Sequence, residues 1–501
     1  MSANVSTASV DVQAFIQASG VDAVLTQLKN DIAAKEAATG KPFIVSDVHD
    51  EAGNQYVDLV QEGGGVWGIA LVGFTYILEK VGIRFFSLAG ASAGAINTMM
   101  LAALGTKETE KAEKVIAELL DLKMFSFVDG KEDNWRVTKW IKRIIQKFIL
   151  RKNYINRLLK TITIILIVTG IITLAAFILT FFINGFWLKL VALIALILWM
   201  VVFVSAFMAY KKFNTLFKHG YGVNEGKAFH VWMTGILQRN GIHHLADLKT
   251  LFSTVPNTLY VRRDEERDST VVGKVNPPSS PMLTIISSDI STGNKIEFPR
   301  MWDLYWGTLE AVNPADFVRA SMSIPAFFQT YVIPVNPSIK DASAKWKNHL
   351  NWNGAVPDAV KFVDGGALSN FPINVFYNAK YIIPRMPTIG IRLGGTNIQV
   401  ANKVQTLSAY LNALLNTLQS NTDKDFMNKN KAFDLGIRIV DMRAHSWLNF
   451  FMEEKEKQEM FLKGAKAAAD FILKFDWESY KRQRKANDEI LNDQKRNPNN
   501  W

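Results

Sequence analysis

The chain has 501 residues, 49% of them hydrophobic, which excludes a mainly disordered protein and gives enough apolar material for one large core or two ordinary ones. A formal charge of +11 favours anionic partners, either nucleic acid or acidic lipid headgroups. With no cysteine, disulfides, thiolate zinc sites and a cysteine nucleophile are all excluded.

The N-terminus "MSANVSTASVDVQAF" lacks both the basic and the apolar region of a secretory signal, and residues 1–55 are expected to be a helical extension. From Tyr56 to Gly105 the pattern is strand, glycine-rich loop, helix, strand, sharp turn, helix, which predicts a parallel sheet covered by helices. This first part of the domain is expected to run over 56–135.

In "LAGASAGAIN", Ser92 follows the apolar strand "IRFFSLA" and precedes a helix-forming run, with Gly90 and Gly94 at the spacing G-x-S-x-G. A strand-to-helix turn that sharp brings backbone segments together, and only residues with minimal side chains avoid collision there. The serine is thereby lifted to the top of the sheet as a candidate nucleophile.

Upstream, "EGGGVWGIAL" fits the dinucleotide fingerprint through Gly63, Gly65 and Gly68. That fingerprint wants an acidic residue at the end of the next strand to hold a ribose, and the next strand ends in Gly90-Ala91-Ser92 instead. The better account is an oxyanion hole, in which successive glycine amides from Gly63, Gly64, Gly65 and Gly68 converge on one developing charge.

"RVTKWIKRIIQKFILRK", residues 136–152, carries apolar residues at helical spacing with Lys139, Lys142, Arg143 and Lys147 off that face. An ordinary core helix has the same spacing, but the absence of any acidic residue favours a helix lying in an anionic bilayer surface. Two apolar runs follow, Thr161 to Ile183 and Phe186 to Tyr210, charged only at Lys189 and joined by Asn184-Gly185. Each is long enough to cross a hydrocarbon layer, so 161–210 is expected to be a transmembrane helical hairpin. Both its flanks are basic, which predicts the catalytic domain and both termini on the cytoplasmic side. Nucleic acid becomes the weaker reading of the charge, because no nucleic-acid-binding motif accompanies it.

The second part of the domain is expected over 220–400, and a helical region with a charged tail over 401–501. Strands are predicted in "MLTIISSDISTGNKIEF", an exposed mobile insertion at Arg262 to Pro281, and a frayed helix ending in disorder from Trp477 to Trp501. None of the seven histidines is placed to act as a base. Asp364 in "KFVDGGALSNFPINVF" is better placed: it ends an apolar strand and precedes Gly365-Gly366, so its carboxylate would project into a cleft, although an Asp-Gly turn has the same appearance.

The glycine loop, the elbow at Gly90 to Gly94, the stretch "DFVRASMSIPAFFQ" and Asp364-Gly365-Gly366, in that order, resemble the patatin-like phospholipase family over roughly residues 56–400 with the hairpin set aside. The resemblance implies a three-layer α/β/α hydrolase with a mainly parallel sheet, here interrupted by a membrane hairpin. It also implies a Ser-Asp dyad of Ser92 and Asp364, with backbone amides around Gly64 and Gly65 as the oxyanion hole. The expected activity is lipid acyl hydrolysis without calcium, metal or cofactor. Family members usually carry Arg or Lys in the glycine loop where this chain has Trp67. A catalytically inactive member that uses the fold as a lipid-binding scaffold is the alternative.

Overall fold

The computed structural model describes residues 5–120, 154–182, 185–218, 220–262, 273–275, 280–378, 382–395, 423–450 and 452–496. The chain forms two compact units, Met1–Asp129 with Gly226–Trp501, and Gly130–Glu225.

The first unit is built on an 11-stranded sheet. Its strands are β1 (Val48–His49), β2 (Gln55–Gln61) and β3 (Ile83–Ala91) before the second unit. After it come β5 (Leu259–Val261), β6 (Gly273–Val275), β7 (Leu283–Asp289), β8 (Asn294–Phe298), β10 (Tyr331–Pro334), β11 (Ala359–Val363), β12 (Thr388–Gly394) and β13 (Ile437–Asp441). Two short strands, β4 (Gly222–Asn224) and β9 (Ala326–Phe328), lie outside this sheet.

At its centre β13, β12, β2, β3 and β7 lie side by side and parallel. Every residue of β3 and of β7 is buried, as expected of strands covered on both faces. Antiparallel strands join this block at two places, β8, β11 and β10 beyond β7, and β1, β5 and β6 running on from the start of β2. The sheet is therefore mixed rather than mainly parallel. Its added strands are short, and several return as hairpins that need no helical crossover.

Side chains of the central strands divide between two faces. Val57, Leu59, Phe85 and Leu88 enter the main core, while Val60 and Ala89 pack with Phe371, Ile373 and Phe433 on the opposite face. A register shift between Val57 and Leu59 keeps Phe85 and Leu88 on the same side although they are three residues apart. On the main face lie α3 (Gly68–Lys80) and α4 (Ala93–Ala103). The helix Glu454–Lys474 packs along α3 through Phe74 against Phe471 and Tyr76 against Phe461. The N-terminal extension is helical over α1 (Val5–Ser19) and α2 (Val21–Thr39), and Phe15 joins the same core edge-on to Phe461.

The charged tail is helical as expected but packed rather than frayed, and the disorder expected at its end falls on 497–501, outside the described residues. It forms a helix, Trp477–Arg496, whose Trp477, Tyr480 and Lys481 are buried. The indole Nε1 of Trp477 donates to Asp47 at 2.7 Å, and Arg484 covers the rings of Tyr377 and Phe433. Long charged side chains bury their stems while their heads find partners, so a high charge density does not by itself keep a helix in solvent. The insertion at 262–281 lies mostly outside the described residues, and its described part contributes the strand β6 beside β5.

In the second unit the two apolar runs are helical, over Tyr154–Phe182 and Phe186–Lys218, and the helices pack on each other. Threonine hydroxyls inside the first helix are satisfied locally, Thr169 by Ile165 O at 2.6 Å and Thr173 by Thr169 O at 2.7 Å. Outward-facing hydrophobics include Ile171, Leu174, Leu198 and Phe207. Among the residues whose side chains are described, no helix is long and apolar enough to cross a membrane. The crossing expected of Thr161 to Tyr210 rests on the sequence. The basic segment at 136–152 and Asn184 lie outside the described residues.

Candidate active site

The site sits at the carboxyl ends of β2 and β3. β3 delivers Ser92 into a backbone conformation of φ 51 and ψ −121, and α4 begins at the next residue. A non-glycine residue in that region is strained and persists only where its surroundings fix it.

Those surroundings account for the small residues. A Cβ on Gly90 would lie 2.5 Å from the carbonyl carbon of Gly94, and one on Gly94 would collide with the backbone oxygen of Gln61. The elbow is thus pressed between its own first helical turn and the end of β2.

Ser92 is 4% exposed, and its Oγ donates to Asp364 Oδ2 at 2.7 Å. The other oxygen of Asp364 accepts from the Gly366 amide at 2.8 Å. Burial pushes the Asp364 carboxyl up to about 6, against the opposing pull of the hydrogen bonds from Ser92 and Gly366. A carboxylate raised this far toward neutrality is a better proton acceptor than a hydrated one and is still ionised at pH 7. The Ser92 amide is held by Ser321 Oγ at 2.9 Å, and Met322 Sδ lies 3.7 Å from Ser92 Oγ.

No described histidine reaches Ser92. His230 pairs with Asp316, His349 with Asp303, and His445 with Glu456.

The glycine loop lies directly against the elbow, since a Cβ on Gly63 would come within 2.9 Å of the Ser92 Cβ. Its amides divide into two groups. Gly63 N donates to Asn370 O at 3.0 Å, Val66 N to Trp447 O at 3.0 Å, Trp67 N to Gly64 O at 3.1 Å, and Gly68 N to carbonyls of its own turn. The amides of Gly64 and Gly65 donate to no described residue, and neither does that of Ala93, the residue after Ser92 in the first turn of α4. Of the four glycines expected to supply an oxyanion hole, Gly63 and Gly68 therefore have their amides engaged, and Gly64 and Gly65 keep theirs available. Ala93 joins them as a donor position that the sequence reading did not name.

Beside this group opens an apolar cavity of about 50 Å³. Gly65, Ala93 and Met322 form its near end, and Ile96, Met100, Trp232 and Phe450 line it farther along α4. Phe450 is fixed by stacking on Phe327 at 4.4 Å between ring centroids. Residue 450 belongs to a segment after β13 that straps the glycine loop, with His445 O accepting from Trp67 Nε1 at 3.2 Å and Trp447 O accepting from Val66. That segment, like Asn370, carried no signal in the sequence, because both meet the loop only through the fold.

A serine on a strand-to-helix elbow, bonded to a buried carboxylate and facing unengaged backbone amides, defines a class: an α/β protein equipped for acyl transfer. The chain belongs to the patatin-like phospholipase family, whose model matches residues 59–377. It is also similar to the uncharacterized protein YqhO of Bacillus subtilis (strain 168), 41% identical over 87 residues, covering 17% of this chain and 30% of that protein. Among solved structures it is similar to VipD from Legionella pneumophila, with a TM-score of 0.33 and 13% identity, over 85% of this chain and 70% of the other.

Proposed function

We propose that this protein is a membrane-anchored lipid acyl hydrolase of phospholipase A type, working through a dyad of Ser92 and Asp364 without calcium. The observation that carries the reading is the 2.7 Å hydrogen bond from Ser92 Oγ to a carboxylate raised to about 6. Asp364 takes the hydroxyl proton as Ser92 Oγ attacks the ester carbonyl. The charge that develops on the carbonyl oxygen falls to the free amides of Gly64 and Gly65. Asp364 then returns the proton to the leaving alcohol, and water repeats the sequence on the acyl-enzyme. The apolar cavity beside Ala93 accepts the first part of the acyl chain and keeps water from the attacked bond.

The substrate is a phospholipid in a bilayer. In this reading the hairpin over 161–210 crosses the membrane twice, the basic segment 136–152 lies on its anionic cytoplasmic surface, and the positive charge serves lipid rather than nucleic acid. Mass spectrometry of the products from mixed phospholipid vesicles tests the activity, with the Ser92→Ala protein alongside. Free fatty acid and lysophospholipid are expected from the parent protein only, insensitive to EDTA. An equal yield from Ser92→Ala, or no labelling of Ser92 by a fluorophosphonate, would rule out the nucleophile.

A further inference from the structure

The two free amides of the glycine loop raise the question of what aims them. A peptide unit is planar, and in its trans form the carbonyl of one residue and the N–H of the next point in opposite directions. The one cis bond among the described residues is Phe298-Pro299, so the glycine loop is trans throughout. Fixing the carbonyl of Gly63 therefore fixes the N–H of Gly64, and fixing the carbonyl of Gly64 fixes the N–H of Gly65. The second carbonyl is held from within the loop by Trp67 N. The first is held from outside it by the side chain of Asn370, whose Nδ2 donates to Gly63 O at 3.2 Å.

Asn370 grips the same residue a second time, because its main-chain oxygen accepts from Gly63 N at 3.0 Å. Gly63 is thus clamped on both its amide and its carbonyl by one residue. The orientation of the Asn370 carboxamide follows from the chemistry, since a carbonyl oxygen accepts only and the group facing it must be the NH₂. The other end of that carboxamide packs on the Asp364 turn, where a Cβ on Gly366 would lie 2.5 Å from Asn370 Oδ1. Asn370 is held in turn by Asp423, whose carboxylate accepts from Ser369 Oγ at 2.7 Å and from Phe371 N at 2.8 Å, one residue to either side.

We infer that Asn370 is a positioning residue for catalysis: by fixing the carbonyl of Gly63 it holds the N–H of Gly64 toward the developing oxyanion at Ser92. The inference rests on the acyl-transfer reading and adds to it the part that ties the oxyanion donor to the turn bearing the base. Asn370 makes no hydrogen bond to Ser92 or Asp364 and acts through Gly63. Its loss lets the Gly63–Gly64 peptide rotate, so that the transition state loses a hydrogen bond the ground state does not need.

The test uses the full chain bearing Asn370→Ala or Asn370→Leu, the second keeping the side-chain volume without the donor. For p-nitrophenyl butyrate, kcat and KM are measured from pH 5 to 9 beside the melting temperature. Both variants are expected to lose about tenfold to a hundredfold in kcat, less than removal of a direct oxyanion donor costs, with KM within about twofold. The acid limb of the profile should stay where the parent protein has it, because Asp364 is unchanged. A parental kcat in Asn370→Leu would overturn the inference. So would an acid limb displaced along with kcat, which would mean that Asn370 acts through Asp364, or a loss of activity that only tracks a loss of folded protein. Ser92→Ala separates this from the parent reading: an inactive Ser92→Ala beside a fully active Asn370→Leu removes the clamp and leaves the nucleophile standing.

Discussion

Asp364 is held at a cost that its chemistry requires. Its carboxyl binds a proton more tightly in the folded chain, at about 6, than its ordinary 3.8, so protonation favours the fold. The sign follows from linkage: this contribution is fully present below about 4 and is lost as pH rises through about 6, a difference of about 3 kcal/mol. An uncharged isostere escapes that loss. Asp364→Asn is therefore expected to abolish hydrolysis and yet to melt a few degrees higher than the parent protein at pH 8, with the gap closing toward pH 5. Calorimetry across that range checks it, and a lower melting temperature at pH 8 would contradict the burial argument. The same proton sets the activity: kcat/KM on a soluble ester should fall about tenfold per pH unit below 6, as the base is protonated.

The elbow at Ser92 and the strand end at Asp364 were both legible in the sequence, and for local reasons. The glycines and alanines around Ser92 are the residues that a collision-free elbow demands, and an aspartate closing an apolar strand has its direction fixed by that strand. Asn370 stands six residues after Asp364 in a stretch read for its aspartate alone. Its value depends on a carbonyl more than 300 residues away in the chain, which no local pattern encodes.

At the scale of elements, the glycine loop is a strap held at both ends, by Asn370 on one side and by the segment His445 to Phe450 on the other. Two substitutions in it should separate. Gly65 has φ 55, and a Cβ there would collide with Trp447 O, so Gly65→Val must displace either the loop or its strap. Turnover is expected to drop at least a hundredfold on soluble ester and vesicles alike. Trp67 contributes one side-chain hydrogen bond to His445 O, which an arginine can replace from its own N–H groups. Trp67→Arg should keep soluble-ester turnover within about threefold while changing the preference among lipid headgroups. Equal collapse on both substrates would mean that the indole supports the site itself. The last helix, expected to fray, is instead packed against the body of its unit. The stripe Trp477, Tyr480, Lys481 and Arg484 recurs at three- and four-residue spacing and is the face it buries.

For the whole molecule, the two stretches on either side of Gly130–Glu225 make one unit, so both must lie on the same side of any membrane that the intervening helices cross. Single cysteines at Ser2, Gly185 and Asn500 test this in intact cells, because the native chain has none to react. An impermeant thiol reagent should reach position 185 alone, and labelling at either terminus would end the two-span proposal. Replacing Thr161 to Tyr210 by a flexible linker should free the protein from membranes at high salt and retain part of its soluble-ester activity. A variant that stays in the membrane fraction at high salt would place the anchor elsewhere.

The strand order also has a consequence for how the chain is made. β1, β2 and β3 are synthesised first, and β2 pairs with β3, but the remaining edge of β3 is covered by β7 and that of β2, beyond the single pairing of β1 at Gln55, by β12 over Asp58 to Gln61. Both partners emerge only after the whole second unit has been translated, since β3 ends at Ala91 and β7 begins at Leu283. Until then a nascent strand pair destined for burial presents open edges, the condition under which chains associate wrongly. In the membrane-anchored reading proposed above, early delivery of the ribosome to a membrane confines those edges to one chain at a time. The position of the insertion, between the serine and its base, makes assembly of the catalytic pair a late event, reached only once translation has passed β11 and Asp364.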